Sequence, residues 1–313
     1  MARGKWMILG RKRIRYKRFI PLYIMVLPGL IYVIINNYIP LGGLMIAFKQ
    51  YNYSKGFWGS PSVGLKNFEF LFKTKDAWII TRNTLGYNFV FIALGTVLAV
   101  TVSILLNEIR SVMARKIYQT FILVPFLISI VVVSYLVYGF LNTSSGFVNN
   151  SILAPLGIEA IKWYSEPMYW PFILVAVNVW KSLGYHVIVY YSSVVGLDSS
   201  LYEAAAIDGA NRLQRIWYVT LPGLRITIIT LTLMSVGRIF YSDFGLFYQV
   251  PMNSGVLMDV TNTIDTYVYR GLMTTNNIGM SSAACFYQSL IGFVLVMAAN
   301  WLVRIVDSEN ALF

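Results

Sequence analysis

Uncharged, apolar runs long enough to cross hydrocarbon dominate the chain, and they are separated by short segments where charge and turn residues gather. Hydrocarbon about 30 Å thick needs roughly 20 helical residues. Three runs meet that length outright: 19 to 48, 83 to 107 and 271 to 303. A fourth, 117 to 158, turns polar at Asn142-Thr143-Ser144-Ser145-Gly146, so its span is expected to end near Leu141. Two more, 169 to 196 with Lys181 and 224 to 247 with Arg238 and Asp243, carry internal charge but are too apolar for solvent and too long for isolated strands. The pattern predicts an all-α integral membrane protein with six transmembrane helices in one domain, 1–313.

Composition agrees. Hydrophobic residues make up 57% and charged residues 12%, about half the usual charged share of a soluble chain, and mean hydropathy is +0.63. The net charge of +12 raises nucleic-acid binding, but placement argues against it: eight of the 25 Lys and Arg residues lie in the first 18, ahead of the first span. With the loops after the second and fourth spans and the C-terminus, that side collects fifteen basic residues against eight on the other. The more basic side faces the cytoplasm by the positive-inside rule, so both termini are expected there, with 1–18 as a basic cytoplasmic segment and the first span retained rather than cleaved.

Catalysis and metal chemistry find little support. One cysteine, Cys285, and one histidine, His186, supply neither a disulfide nor a closed metal site, so no metal is expected. Gly59-Ser60-Pro61-Ser62-Val63-Gly64 has phosphate-loop spacing, but Leu65 stands ahead of Lys66 where Gly-Lys-Ser/Thr is required.

The informative hydrophilic segment is 197–223, between the fourth and fifth spans. Ser200 with Glu203 has capping-box spacing, and Ala204, Ala205 and Ala206 propagate helix. Gly209 offers a left-handed break, and a second helix from Asn211 to Val219 is expected to stop at Pro222. Leu201, Tyr202, Ile207, Leu213 and Ile216 add apolar contact surface to this hairpin. On local chemistry alone, a linker and a docking element fit equally well.

Its spacing resembles the membrane permeases of binding-protein-dependent ABC importers, whose signature is E-A-A, three residues, G, nine residues, then I-x-L-P. Here it stands as Glu203-Ala204-Ala205, Gly209 and Val219-x-Leu221-Pro222, with Asp208 ahead of the glycine. Pro28-Gly29, Asn67-Phe68, Asn83-Thr84, Trp180-Lys181 and Asp265-Thr266-Tyr267 extend the resemblance to the carbohydrate branch, of the maltose, multiple-sugar and complex-oligosaccharide kind. The chain departs from the maltose permease subunit that has extra spans and a large outer loop. The resemblance implies the type I importer permease fold in a bacterial cytoplasmic membrane. It also implies import of oligosaccharides by alternating access, a second homologous permease, two ATPases that bind ATP and Mg, and an extracytoplasmic sugar-binding protein. By the same resemblance Glu203, Ala204, Ala205, Asp208, Gly209, Leu221 and Pro222 couple to the ATPase, and this chain binds no cofactor of its own.

Candidates for the pathway follow from residue chemistry. A charge in mid-membrane costs about 2.5–3.5 kcal/mol unless it faces protein or water, so Lys181 is expected to point inward, either as a pathway residue or as a structural donor to a neighbouring span. Asn178, Trp180, Tyr185, His186, Tyr190 and Tyr241 offer hydrogen bonds and ring faces suited to sugars. Lys181, Arg238 and Asp243 are the charges that the rival reading, an ion-coupled secondary transporter, would use.

Overall fold

A computed structural model describes residues 19–306. The basic segment 1–18 lies outside the described residues, as do 307–313. By backbone contacts the chain divides after Met45. The described part of the first unit is helix, apolar all round and without a buried residue from Ile20 to Leu41. Such a helix needs lipid or another chain around it.

In chain order the main helices are α1 (Ile20–Phe48), α2 (Asp76–Asn107), α3 (Val112–Leu127), α4 (Ile130–Leu141), α5 (Trp170–Val195), α6 (Ser199–Ile207), α7 (Arg212–Val236), α8 (Phe244–Gln249), α9 (Met258–Thr261), α10 (Ile264–Met273) and α11 (Ile278–Val306). Among the described residues, the one β pairing is an isolated bridge between Lys49 and Ser62. Among the described residues, five helices are long and apolar enough to cross a membrane, and the number is six when α3 and α4, bent by 94° at the break between them, are counted as one broken span.

The boundaries differ from expectation at four places. The second crossing starts at Asp76 rather than 83, because Arg82 stays in the helix by donating to the Asp259 carbonyl at 2.8 Å. The third breaks at Ile128 and Ser129, both extended, just after Pro125. The fifth ends at Val236, so Arg238 and Asp243 lie beyond it, Arg238 in the following turn and Asp243 as the cap of α8, accepting from Leu246 N–H at 3.1 Å. The sixth starts at Ile278, where Asn277 accepts from Met280 N–H at 3.1 Å after a left-handed Asn276.

Pro222 does not stop the second hairpin helix. A π turn, Ile216–Thr220, precedes it, and Leu221 N–H reaches back to the Ile216 carbonyl. The wider turn makes room for a ring that would otherwise meet the carbonyl four residues earlier. The same device precedes Pro40 in α1, where Ile34–Tyr38 is a π turn and Ile39 N–H bonds the Ile34 carbonyl.

Three apolar clusters hold the second unit together. One, at the C-terminal ends of α2 and α5 and the start of α7, joins Ile104, Leu106, Val187, Val194 and Leu224. A second gathers Tyr87, Trp170, Leu174, Phe247 and Leu257, and a third Phe68, Ile80, Phe240, Ile264 and Ala284. Where the backbone is irregular, asparagine side chains satisfy it. Asn83 donates to the carbonyls of Asp259 (3.0 Å) and Asn262 (2.9 Å), and Asn88 to those of Ile239 (2.8 Å) and Tyr241 (2.9 Å). Asn67 does the same for Ala47 and Lys49, and Asn149 for Thr143 and Ile161. Carbonyls outside helices near hydrocarbon need such donors.

Candidate functional site

The hairpin is built from defined caps. Asp198, not Ser200, opens α6: its carboxylate accepts from Ser200 N–H at 2.9 Å, which holds its pKa below the ordinary aspartate value. The cap's stabilisation is therefore complete above the ordinary aspartate pKa and is lost as pH falls below it through the lowered folded value. At the far end Gly209 N–H bonds the Ala206 carbonyl and Ala210 N–H the Ala205 carbonyl, a Schellman closure with Gly209 left-handed at φ 78°. The capping box lies one helix later, with Asn211 and Gln214 bonded reciprocally at 2.9 and 2.7 Å. Tyr202 and Thr220 hydroxyls, 3.0 Å apart, tie α6 to α7.

These caps leave Glu203 without an internal task. It is exposed, and no hydrogen bond or ion pair engages it among the described residues. Beside it the hairpin exposes Leu201, Ile207, Leu213, Trp217 and Tyr218, Ile207 by 87%. Tyr202 and Ile216, expected on that surface, face inward instead: Tyr202 bonds Thr220, and Ile216 packs on the α2–α5–α7 cluster. Ala204 and Asp208 are exposed and Ala205 is half-buried, whereas Leu221 and Pro222 lie inside α7, directly after its π turn.

Lys181 has a structural role. Its ammonium donates to the Phe126 carbonyl at 3.1 Å and the Ile128 carbonyl at 2.7 Å, the groups exposed by the break between α3 and α4. Tyr185, one turn on, stacks on Phe126 with centroids 5.1 Å apart. Lys181→Met is expected to leave these carbonyls unsatisfied at about 1–3 kcal/mol. A clearly lowered melting temperature in detergent checks this; an unchanged one contradicts the assignment.

A different face of α5 lines a cavity of about 200 Å³ with α2 and α7: Asn88, Thr96, Asn178, Ser182, His186, Tyr190 and Ser235 supply its polar groups. Three predicted pathway residues, Asn178, His186 and Tyr190, meet here. Trp180, Lys181, Tyr185, Arg238, Tyr241 and Asp243 do not line it. The sequence carried an unused signal for the rest: Asn178, Ser182, His186 and Tyr190 recur every four residues, a polar stripe on one helix face. Among the described residues no charged side chain lines the cavity, so it offers hydrogen bonds and ring faces to an uncharged polar solute but no counter-charge to an ion.

Comparison with known proteins gives one answer. Protein LplB of Bacillus subtilis (strain 168) is 32% identical over 289 residues, 92% of this chain and 90% of that protein. The polygalacturonan/rhamnogalacturonan transport system permease protein YteP of the same organism is 32% identical over 290 residues, 92% and 89% of the two chains. A chain from the crystal structure of a bacterial ABC transporter involved in the import of the acidic polysaccharide alginate superposes with a TM-score of 0.85 at 31% identity, over 93% of this chain and 97% of that one. A family model described as binding-protein-dependent transport system inner membrane component matches residues 91–309, and the chain belongs to that family.

Proposed function

We propose that this chain is one of two paired permeases through which an ATP-driven importer moves oligosaccharides across the bacterial cytoplasmic membrane. Family membership makes it a membrane transport component rather than an enzyme. ATP and Mg then bind to two separate ATPase subunits, and an extracytoplasmic sugar-binding protein delivers the cargo. Supporting this, the alginate importer also has a crystal structure in complex with an alginate pentasaccharide-bound periplasmic protein, in which the matching chain superposes with a TM-score of 0.84 at 31% identity.

The observation that carries the reading is the 197–223 hairpin, with the unengaged Glu203 carboxylate set among exposed apolar side chains. Exposed apolar surface on a rigid, capped element marks an interaction site. In this reading Ala204 and Ala205 allow close approach, Glu203 meets a basic group on the ATPase, and Gly209 sets the bend. Leu221 and Pro222 couple through α7 itself, whose far part lines the cavity, so ATPase closure moves a wall of the cavity. Asn178 and Tyr190 line the cargo's path at mid-span, and both chain termini lie on the cytoplasmic side with the hairpin.

Uptake by membrane vesicles tests the assignment. The expected result is transport of a labelled oligosaccharide that needs ATP and survives collapse of proton and sodium gradients, with an ATPase recovered on the tagged chain. Uptake driven by a gradient without nucleotide would refute it and favour a secondary transporter.

A further inference from the structure

A second cavity, of about 400 Å³ and mostly apolar but with charged groups in its lining, opens at the other end of the molecule from the hairpin. It lies at the start of α2, a helix of 32 residues and so about 48 Å from the hairpin end, and is closed by α9, α10 and the start of α11. Its composition differs from the mid-span cavity. Asp76, Asp259 and Arg270 bring charge, Asn262, Thr74 and Thr275 bring neutral polar groups, and Phe70 and Tyr267 form one wall.

Arg270 is held in place without an acidic partner. Its Nε donates to Asn253 Oδ1 at 2.9 Å, its Nη1 to Asn262 Oδ1, and the guanidinium lies 5.8 Å from the Tyr248 ring centroid. Among the described residues the only ion pair is Lys73 with Glu69, so neither Asp76 nor Asp259 neutralises it. No hydrogen bond engages either carboxylate there. Each sits in the first turn of a helix, which accounts for its charge locally but not for its sharing a cavity with an oriented guanidinium.

The aromatic wall has complementary chemistry. Phe70 and Tyr267 stack at 5.5 Å and 24°. Tyr267 donates only to the weak acceptor Met280 Sδ at 3.3 Å, and burial, with the Asp76 charge adding, pushes its phenol up to about 12, so it remains a donor at neutral pH. A cation is disfavoured here: calcium takes six to eight oxygen ligands, and a guanidinium in the same space opposes it.

We propose that this cavity is a sugar subsite that takes a terminal unit of the oligosaccharide cargo at the face away from the hairpin. The Asp76 and Asp259 carboxylates accept from sugar hydroxyls, Arg270 donates to ring and hydroxyl oxygens or to a uronate carboxylate, and the half-buried Tyr267 ring, backed by the buried Phe70, covers an apolar sugar face. The volume falls in the range of small-molecule sites and holds roughly one or two hexose rings. The inference rests on the oligosaccharide reading above, but its test needs neither ATPase nor uptake.

The full-length chain in lipid nanodiscs is titrated with trigalacturonic acid, with arabinotriose and, separately, with calcium chloride. We expect one of the two sugars to bind, Asp76→Asn and Asp259→Asn each to weaken it at least fivefold with unchanged melting temperature, and Glu159→Gln, at an exposed carboxylate that lines neither cavity, to retain it. Unaltered affinity in both aspartate variants, calcium binding that displaces the sugar, or no binding of either sugar overturns the subsite. ATP-driven uptake in the vesicle experiment would leave the transport reading standing in any of those cases.

Discussion

Gly184→Val is expected to abolish recovery of the folded chain. A Cβ at Gly184 would lie 2.1 Å from the Ile122 carbonyl oxygen, 2.6 Å from its carbon and 2.8 Å from Leu123 Cα, all backbone atoms of α3. No rotamer relieves such a contact; α3 must move away from α5. That displacement also withdraws the Phe126 and Ile128 carbonyls from Lys181, only three residues before the glycine on α5. Overpacking of a well-packed contact costs about 1–3 kcal/mol and occasionally more. Loss of the two ammonium bonds adds to it. Size-exclusion profile and melting temperature in detergent measure the outcome, with Gly184→Ala as the milder member of the series. A monodisperse Gly184→Val chain melting with the wild type would show that α3 and α5 do not meet as described.

A second large effect is expected at Gly209, of a different kind. Proline there fixes φ near −65° where the chain needs 78°, and it removes the N–H that bonds the Ala206 carbonyl. Because Gly209 is exposed and an added Cβ meets nothing, the damage stays within the hairpin. Insertion and melting of the spans should match wild type, while ATPase recovery on the tagged chain and vesicle uptake each fall at least tenfold. A tenfold loss corresponds to about 1.4 kcal/mol of association free energy. Gly209→Ala, which must bear about 1–2 kcal/mol of left-handed strain, should lie between. Full uptake by the proline variant would remove the hairpin from the coupling scheme.

Much of this architecture was legible because membrane solvation imposes long apolar runs, and because a left-handed turn such as that at Gly209 admits few residues other than glycine. The failures have local causes. Pro222 looked like a stop because a proline in an ideal α-helix is one, whereas the π turn before it changes the geometry the ring encounters. Ser200 and Glu203 had the right spacing for a capping box, but Asp198, two residues earlier, is the stronger acceptor and sets the helix start. Arg238 and Asp243 were read into a span because the run around them is apolar; the asparagine clip from Asn88 and the Asp243 cap end the helix sooner. At the mid-span cavity, Asn178, His186 and Tyr190 were visible from residue type. Asn88, Thr96, Ser182 and Ser235 were not, since short polar side chains in apolar helices usually bond their own backbone, as Ser182 and Ser235 do. The cavity beside Arg270 depends on residues from 70 to 280 and left no trace in any one window.

The asparagine clips also constrain the order in which the molecule is made. Asn83 closes on Asp259 and Asn262, and Tyr87 donates to the Val260 carbonyl, partners more than 170 positions downstream. At about 5–20 residues per second, a ribosome takes roughly 10–35 s to deliver them. Until then the leading end of α2 holds amides and a phenol with no permanent acceptor, so water or the insertion machinery must shelter them. Nascent chains halted before residue 259 should carry an α2 whose entry end is open to protease, and release past residue 263 should seal it.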